Sequence, residues 1–392
     1  MIKRLFLLAL FLPSAVLGQA PAVPAPAAPK EQPAAVIRLE RVKDFGQSQD
    51  WTGLFRNYES RGSYKGVVRL PDGRLLVADT RTYNFLIFDA RGRFLGKFWA
   101  KGRRKASSKT AYNRPEWASL WDGRLLFVSE LGRVRVFDLD GRQVRTAVVD
   151  HPVSCLAPLS ETTVAVAGWV LQADASSRFI IALVDLSTGR ETVLRDMLED
   201  MPEPVRTKDG RIVRARAPYD RIRPFVRALG PDAFAAGFSN WPEIEVFDAA
   251  GKPVRLFRLR GEPAAMVATM EDLGRYADPY DSSNKSRFRG QFFVAPYDPD
   301  RGIRFFNFVL DDKGRFLVFS FPESGADPVL RIYSSVGDLL KEARLEAGDL
   351  KIAFSPGEAG PVFDGECLIT LAEEKEAKGV PLRLVKLRMI GL

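Results

Sequence analysis

The chain has 392 residues, 46% of them hydrophobic, with 58 Lys and Arg against 49 Asp and Glu, a formal net charge of +9. The basic balance favours anionic partners. A single histidine, His151, excludes zinc sites built from several imidazoles and catalytic His dyads, and the only cysteines are Cys155 and Cys367.

Met1-Ile2-Lys3-Arg4 is a basic start, and Leu5 to Leu12 is an apolar core too short to span a bilayer. Small residues around Val16-Leu17-Gly18 put a cleavage point after Gly18 or Ala20, so residues 1–20 read as a signal peptide. No Cys lies nearby to take a lipid anchor, and residues 21–34 are an Ala/Pro-rich tether. No later segment is apolar enough to span a membrane. The mature chain is therefore expected to be exported, periplasmic or secreted, with a charge of +7 once Lys3 and Arg4 are lost from the +9 total.

Ala35 to Val42 reads as a lone strand. The next segment is the most telling one. In Val68-Arg69-Leu70-Pro71-Asp72-Gly73-Arg74-Leu75-Leu76-Val77-Ala78-Asp79, an Asp-Gly turn separates two apolar runs. Leu86-Ile87-Phe88 and a second turn at Asp89-Ala90-Arg91-Gly92 lead into Phe94 to Phe98. The Asp-Gly pair predicts a primed turn with positive φ at both residues. Four short strands joined this way make one small antiparallel sheet, which cannot bury both faces alone.

Copies of this unit recur along the chain. The second runs from Trp121-Asp122-Gly123 to Asp138-Leu139-Asp140-Gly141, and a degenerate third from Thr163 to Gly189. A fourth spans Asp232 to Gly251, a fifth Asp312-Lys313-Gly314 to Gly337, and a sixth Asp364-Gly365 to Leu387. The sixth lacks a fourth strand, which Ala35–Val42 can supply. The fold class expected is all-β, a six-bladed β-propeller of four-stranded antiparallel blades filling residues 35–392, closed by the N-terminal strand. The pattern L-P-D-G-R-L-L-V-A-D followed by F-D-x-x-G resembles the NHL-repeat and TolB-like propellers of bacteria. That resemblance implies a ring scaffold with a central channel and no one activity. The repeat itself places Cys155 and Cys367 near the third and sixth units, across the ring, so no disulfide is expected between them.

Function is expected where long segments break the copies. Connections at residues 47–65, 99–116, 197–224 and 259–303 all join the last strand of one unit to the first of the next, which puts them on one face. The turn signals lie on the other. Lys101, Arg103, Arg104, Lys105, Lys109 and Arg114 stand against Glu116 alone, and seven cations from Arg206 to Arg223, among them Arg216 and Arg221, stand against Asp209 and Asp220. Within the second group, residues 204–214 read as an extra hairpin with an Asp-Gly turn. Residues 264–276 look helical, and His151, before Pro152, reads as a rim residue. Trp51, Tyr58, Tyr64, Tyr83, Trp99, Tyr112, Trp117, Trp169, Tyr219 and Trp241 fall on the same face.

These residues point to a binding module for an envelope protein or an anionic glycan, with Arg103, Arg104, Trp169, Arg216, Arg221 and Trp241 as candidate contacts. Nucleic acid is not expected of an exported chain, no cofactor is implied, and no activity is assigned. The alternative is a metal-assisted hydrolase or lactonase at the channel mouth. Asp79, Glu130 and Asn240, after second strands, would then be oxygen ligands for a cation such as Ca2+. The third, fifth and sixth units offer Gly168, Ser320 and Leu371 there, which leaves the ligand ring incomplete.

Overall fold

The computed structural model describes residues 35–47, 49, 51, 54–55, 64–79, 84–99, 115–171, 177–199, 205–206, 212–213, 223–260, 307–320, 328–352, 361–374 and 382–392. All regular structure among them is strand. The apolar runs explain why. Leu75–Asp79 and Phe316–Ser320 are buried at every position, the mark of strands covered on both faces.

The chain begins with β1 (Ala35–Arg41). Repeat 1 is an antiparallel meander of β2 (Tyr64–Arg69), β3 (Leu75–Asp79), β4 (Asn84–Phe88) and β5 (Phe94–Trp99). Next come β6 (Trp117–Trp121), β7 (Leu125–Asp138), β8 (Gln143–Pro158), β9 (Thr163–Leu171), β10 (Ser177–Asp185) and β11 (Glu191–Glu199), hydrogen-bonded as one six-stranded sheet. A separate pair, β12 (Val205–Arg206) and β13 (Ile212–Val213), forms the hairpin expected at residues 204–214. Repeat 4 is the meander β14 (Pro224–Ala228), β15 (Ala233–Phe238), β16 (Glu243–Asp248) and β17 (Pro253–Arg258). The remaining strands are β18 (Asn307–Leu310), β19 (Phe316–Ser320), β20 (Val329–Tyr333), β21 (Leu339–Glu346), β22 (Leu350–Ile352), β23 (Val362–Asp364), β24 (Cys367–Glu374) and β25 (Arg383–Ile390). With β1 they make a nine-stranded sheet.

Two larger sheets thus stand where the copies lead one to expect four-stranded ones. The pairings give the reason. The first half of β7 pairs with β6 and its second half with β8, while the second half of β8 pairs with β9. Each long strand therefore serves two positions of the meander, and repeats 2 and 3 run together. In the nine-stranded sheet, β1 pairs antiparallel with β25 and parallel with β21, which joins repeat 5 to repeat 6. The lone N-terminal strand sits beside the last strand of the chain, in register Leu39 to Met389.

The core is divided accordingly. In β3, Leu75 and Val77 pack with Leu371 and Leu384 of repeat 6, while Leu76 and Ala78 pack with Leu126 and Val128 of repeat 2. The same alternation continues around the chain. Apolar clusters join repeats 2 and 3 through Phe127 and Val166, repeats 3 and 4 through Ala167 and Phe238, repeats 4 and 5 through Val246 and Phe316, and repeats 5 and 6 through Phe319 and Leu387. Every repeat packs on the one before and the one after, and the sixth packs on the first. Residues 35–392 form one compact unit.

The turns show what the repeated Asp and Gly are for. The carboxylate of Asp89 accepts the backbone N–H of Arg91 and of Arg93, each at 2.9 Å, and Asp248 and Asp311 do the same at their own turns. At Asp72-Gly73 the primed turn is not formed. Gly73 has φ +84° while Asp72 stays out of the left-handed region, because Gly73 N–H bonds Leu70 O and Leu70 N–H bonds Arg74 O. This is a three-residue loop, and it needs one left-handed residue instead of two. Among the described residues only Asp122-Gly123 takes positive φ at both positions, 49° and 63°.

Candidate functional site

Arg103, Arg104, Arg216 and Arg221 lie outside the described residues, as do the stretch read as helical and nearly all of 259–303. Trp169 and Trp241 are half-buried and pack against the cluster between repeats 3 and 4. The Trp241 ring lies 4.6 Å from that of Phe238, tilted by 57°. Trp51, from the same aromatic group, stacks on Phe55 and Phe88 inside the core.

Asp79 and Glu130 occupy matching places. Asp79 continues the face of Leu75 and Val77, and Glu130 continues that of Leu126 and Val128, so each is directed at the preceding repeat. Both are buried, at 2% and 0% exposure. Asn240 is not their counterpart. By the same alternation that position is Phe238, and Asn240 lies beyond it in the turn, donating its amide N–H to Met197 Sδ at 3.5 Å. Among the described residues no three His, Cys, Asp or Glu side chains are grouped to hold a metal ion.

Glu130 meets one cation closely. Arg135 Nε is 3.1 Å from Glu130 Oε1, yet it is not aimed along that line, and neither carboxylate oxygen accepts a hydrogen bond. Burial pushes the carboxyl up to about 7, against the pull of Arg135 and Arg133. A carboxyl that titrates near neutrality can exchange protons in acid–base chemistry, but here it is enclosed between sheets.

His151 lies inside β8, where rim placement was expected, because β8 runs without a break from repeat 2 into repeat 3. Its Nε2 is 3.0 Å from Glu191 Oε1 and its Nδ1 is 3.1 Å from Pro152 O. Burial lowers its pKa, but these bonds, with Glu191 leading, raise it further and leave it above its ordinary value. The ring fills the space beside Gly168, the residue matching Asp79 in repeat 3. A Cβ on Gly168 would fall 2.2 Å from Pro152 O and 2.7 Å from His151 Nδ1.

The most unusual group is one that charge counting along the insertions passes over. Arg227 lies in β14, the first strand of repeat 4, and reaches toward first strands of three other repeats. Its Nε donates to Phe308 O at 3.0 Å and its Nη2 to Asn307 Oδ1 at 2.6 Å. Nη1 donates to Val226 O at 2.8 Å and to Cys155 Sγ at 3.5 Å. The guanidinium lies over the Trp117 ring at 4.5 Å, with Phe308 at 5.5 Å and Phe225 at 5.6 Å. Burial lowers its pKa, and Cys155 opposes that shift. Burial likewise raises the Cys155 thiol, which is free.

All the acceptors around Arg227 are neutral. Among the described residues no carboxylate pairs with it, so a half-buried positive charge stands without a counter-charge. Such charge is costly to desolvate and is an attractor for anions. One signal in the sequence does mark it. Pro224-Phe225-Val226-Arg227-Ala228 is an apolar strand interrupted by a single cation at a position where a solvated Arg has no place.

No protein-family model and no curated protein matches this chain. Among solved structures it is similar to U3-55K, at 13% identity over 83% of this chain and 80% of that one, with a TM-score of 0.42. It is also similar to a luciferin-regenerating enzyme, at 8% identity over 91% and 96% with a TM-score of 0.44. A member of the duf4221 family from Bacteroides vulgatus gives 11% identity over 84% and 94%, with a TM-score of 0.47. At these values the likenesses carry no conclusion about activity.

Proposed function

We propose that this chain is an exported six-bladed β-propeller of the NHL-repeat or TolB-like type, and that it is a binding module for an anionic partner, an envelope protein or an acidic glycan. The six-fold reading is supported by the apolar clusters, each drawn from two consecutive repeats and returning from the sixth to the first. Among the described residues no helix is long and apolar enough to cross a membrane.

The observation that carries the binding reading is the cation at Arg227, which has no carboxylate partner among the described residues. Both strands that meet there follow a basic insertion directly. Residues 101–114 lead into β6 and Trp117, and residues 206–223 lead into β14 and Arg227. The Arg227 guanidinium thus adds positive charge to strands that each follow a basic stretch of sequence, with Arg103, Arg104, Arg216, Arg221, Trp169 and Trp241 as the candidate contacts. The hydrolase reading, in which Asp79, Glu130 and Asn240 hold Ca2+, gains no such support, since Asn240 does not share the position of the other two.

The test is retention of the full chain on an immobilised acidic polysaccharide beside a neutral one. Binding to the acidic matrix at about 50 mM salt and release by about 500 mM is the expected result, since screening shortens from over 10 Å to a few Å across that range. Equal behaviour on both matrices, or no retention at low salt, overturns the proposal.

A further inference from the structure

We propose that Arg227 and Asn307 form a subsite for one carboxylate group of a ligand, beside Trp117; the step rests on the anion-binding reading above and gives it a definite chemical group.

The donor inventory makes the case. A guanidinium has five N–H groups. Four of those on Arg227 are used, one from Nε to Phe308 O, two from Nη1 to Val226 O and Cys155 Sγ, and one from Nη2 to Asn307 Oδ1. The second N–H of Nη2 has no partner among the described residues. Asn307 is 3% exposed, and its side-chain oxygen is taken by Arg227. Its amide nitrogen makes no hydrogen bond to a described residue, yet it is not shut off from solvent as the buried unpaired polar atoms are. Two unused donors therefore belong to side chains joined by the 2.6 Å bond. They belong to one planar fork and one planar amide.

This set matches a carboxylate better than a tetrahedral anion. Two donors satisfy the two oxygens of a planar monoanion, and one positive charge is neutralised by one negative charge. Sulfate or a phosphate dianion would leave oxygens unpaired and bring surplus charge among the rings of Trp117, Phe225 and Phe308. The rings of Trp117, Phe225 and Phe308 beside the guanidinium lower the local polarity and strengthen the attraction.

The experiment titrates the full chain with glucuronate and, separately, with N-acetylglutamate, following Trp fluorescence and calorimetry, with glucose and sulfate as controls. Polygalacturonate reports the wider surface. Both small carboxylates are expected to bind and to compete with each other, and a preference between them tells a sugar acid from a peptide carboxylate as the source. Asn307→Asp supplies a built-in carboxylate to Arg227. It is expected to weaken glucuronate binding about ten-fold or more while holding or raising the melting temperature. Arg227→Lys keeps the charge, loses the fork and is expected to weaken binding to a similar degree.

Glucuronate binding within two-fold of wild type in both variants refutes the subsite. So does a melting temperature lowered by Asn307→Asp, which would mean that Arg227 has no charge left to match. Retention on polygalacturonate without glucuronate binding also removes the subsite and leaves the surface reading intact. Loss of both in the wild type removes the two together.

Discussion

Changing Glu130 to Gln tests whether the sheet interface between repeats 1 and 2 carries a proton-dependent cost. The carboxyl is fully buried and its pKa is pushed from 4.5 up to about 7 by burial. Its folded-state pKa is higher than its unfolded one, so the native protein holds the proton more tightly between those values. The stability that this carboxyl contributes is therefore fully present below pH 4.5 and is lost as the pH rises from there through 7. The gap of about 2.5 units corresponds to about 3 kcal/mol, at 1.36 kcal/mol per unit. For the 358 residues of unit 35–392, an unfolding entropy of about 2.1 cal/mol/K per residue turns that into about 4 °C of melting temperature.

The assay is urea unfolding of wild type and Glu130→Gln at pH 5, 6, 7 and 8. The stability difference between the two proteins is expected to shift by about 3 kcal/mol in favour of Gln from the acid end to the alkaline end. Other titrating groups cancel in that comparison. Parallel curves refute the reasoning, because they mean that Arg135 holds the carboxyl ionised throughout.

Three further outcomes follow from the same geometry. His151→Gln should flatten the pH dependence in a higher window, since a His raised by Glu191 gives stability that is present below pH 6.5 and lost as pH rises through its folded pKa; unchanged unfolding curves from pH 6 to 9 would contradict this. Gly168→Ala should cost about 1–3 kcal/mol in urea unfolding, and adding His151→Ala should not restore it, because the Cβ strikes the fixed carbonyl of Pro152 as well as the imidazole. Ile37→Ala, in the strand that pairs with β25, should cost about 2–5 kcal/mol. Arg38→Ala beside it, whose pair with Glu346 is 73% and 43% exposed, should cost less than about 1 kcal/mol in the same urea unfolding.

The repeat was readable because its signals are local. Asp89 carries its own backbone bonds four residues on, and Gly73 needs nothing beyond its turn, so a short window of sequence contains the whole cause. The lone strand at Ala35 was readable by a different route, as a missing fourth strand in repeat 6, and it pairs with β25. What local pattern did not record was the merging of repeats 2 and 3. That merger depends on β8 staying extended through His151-Pro152, where a proline favours extended backbone as readily as it marks a boundary. His151 was placed at a rim for that reason and is instead buried with Glu191, a partner forty residues away.

The candidate site is harder to read for a related reason. Charge runs in the insertions are visible because they are contiguous, whereas Arg227 takes its meaning from Trp117, Cys155 and Asn307, contributed by three other repeats. Where successive sheets pack on one another, a first strand meets others that are distant in sequence, so a cation placed there is solvated or enclosed according to residues no window includes. Period-two reasoning recovers part of this. It assigns Asp79 and Glu130 to one shared position and rejects Asn240 from it, since Phe234, Ala236 and Phe238 form the matching face in repeat 4. Applied to β14, it puts Arg227 on the same side as Phe225, directed at repeat 5, where Phe308 and Asn307 receive it. A charged residue on an inward face of a first strand is therefore the feature to seek in chains of this pattern. Its neutral acceptors and the lack of a carboxylate partner among the described residues separate it from a structural ion pair such as Arg195 with Glu245, whose two 2.8 Å bonds leave no charge to offer a ligand.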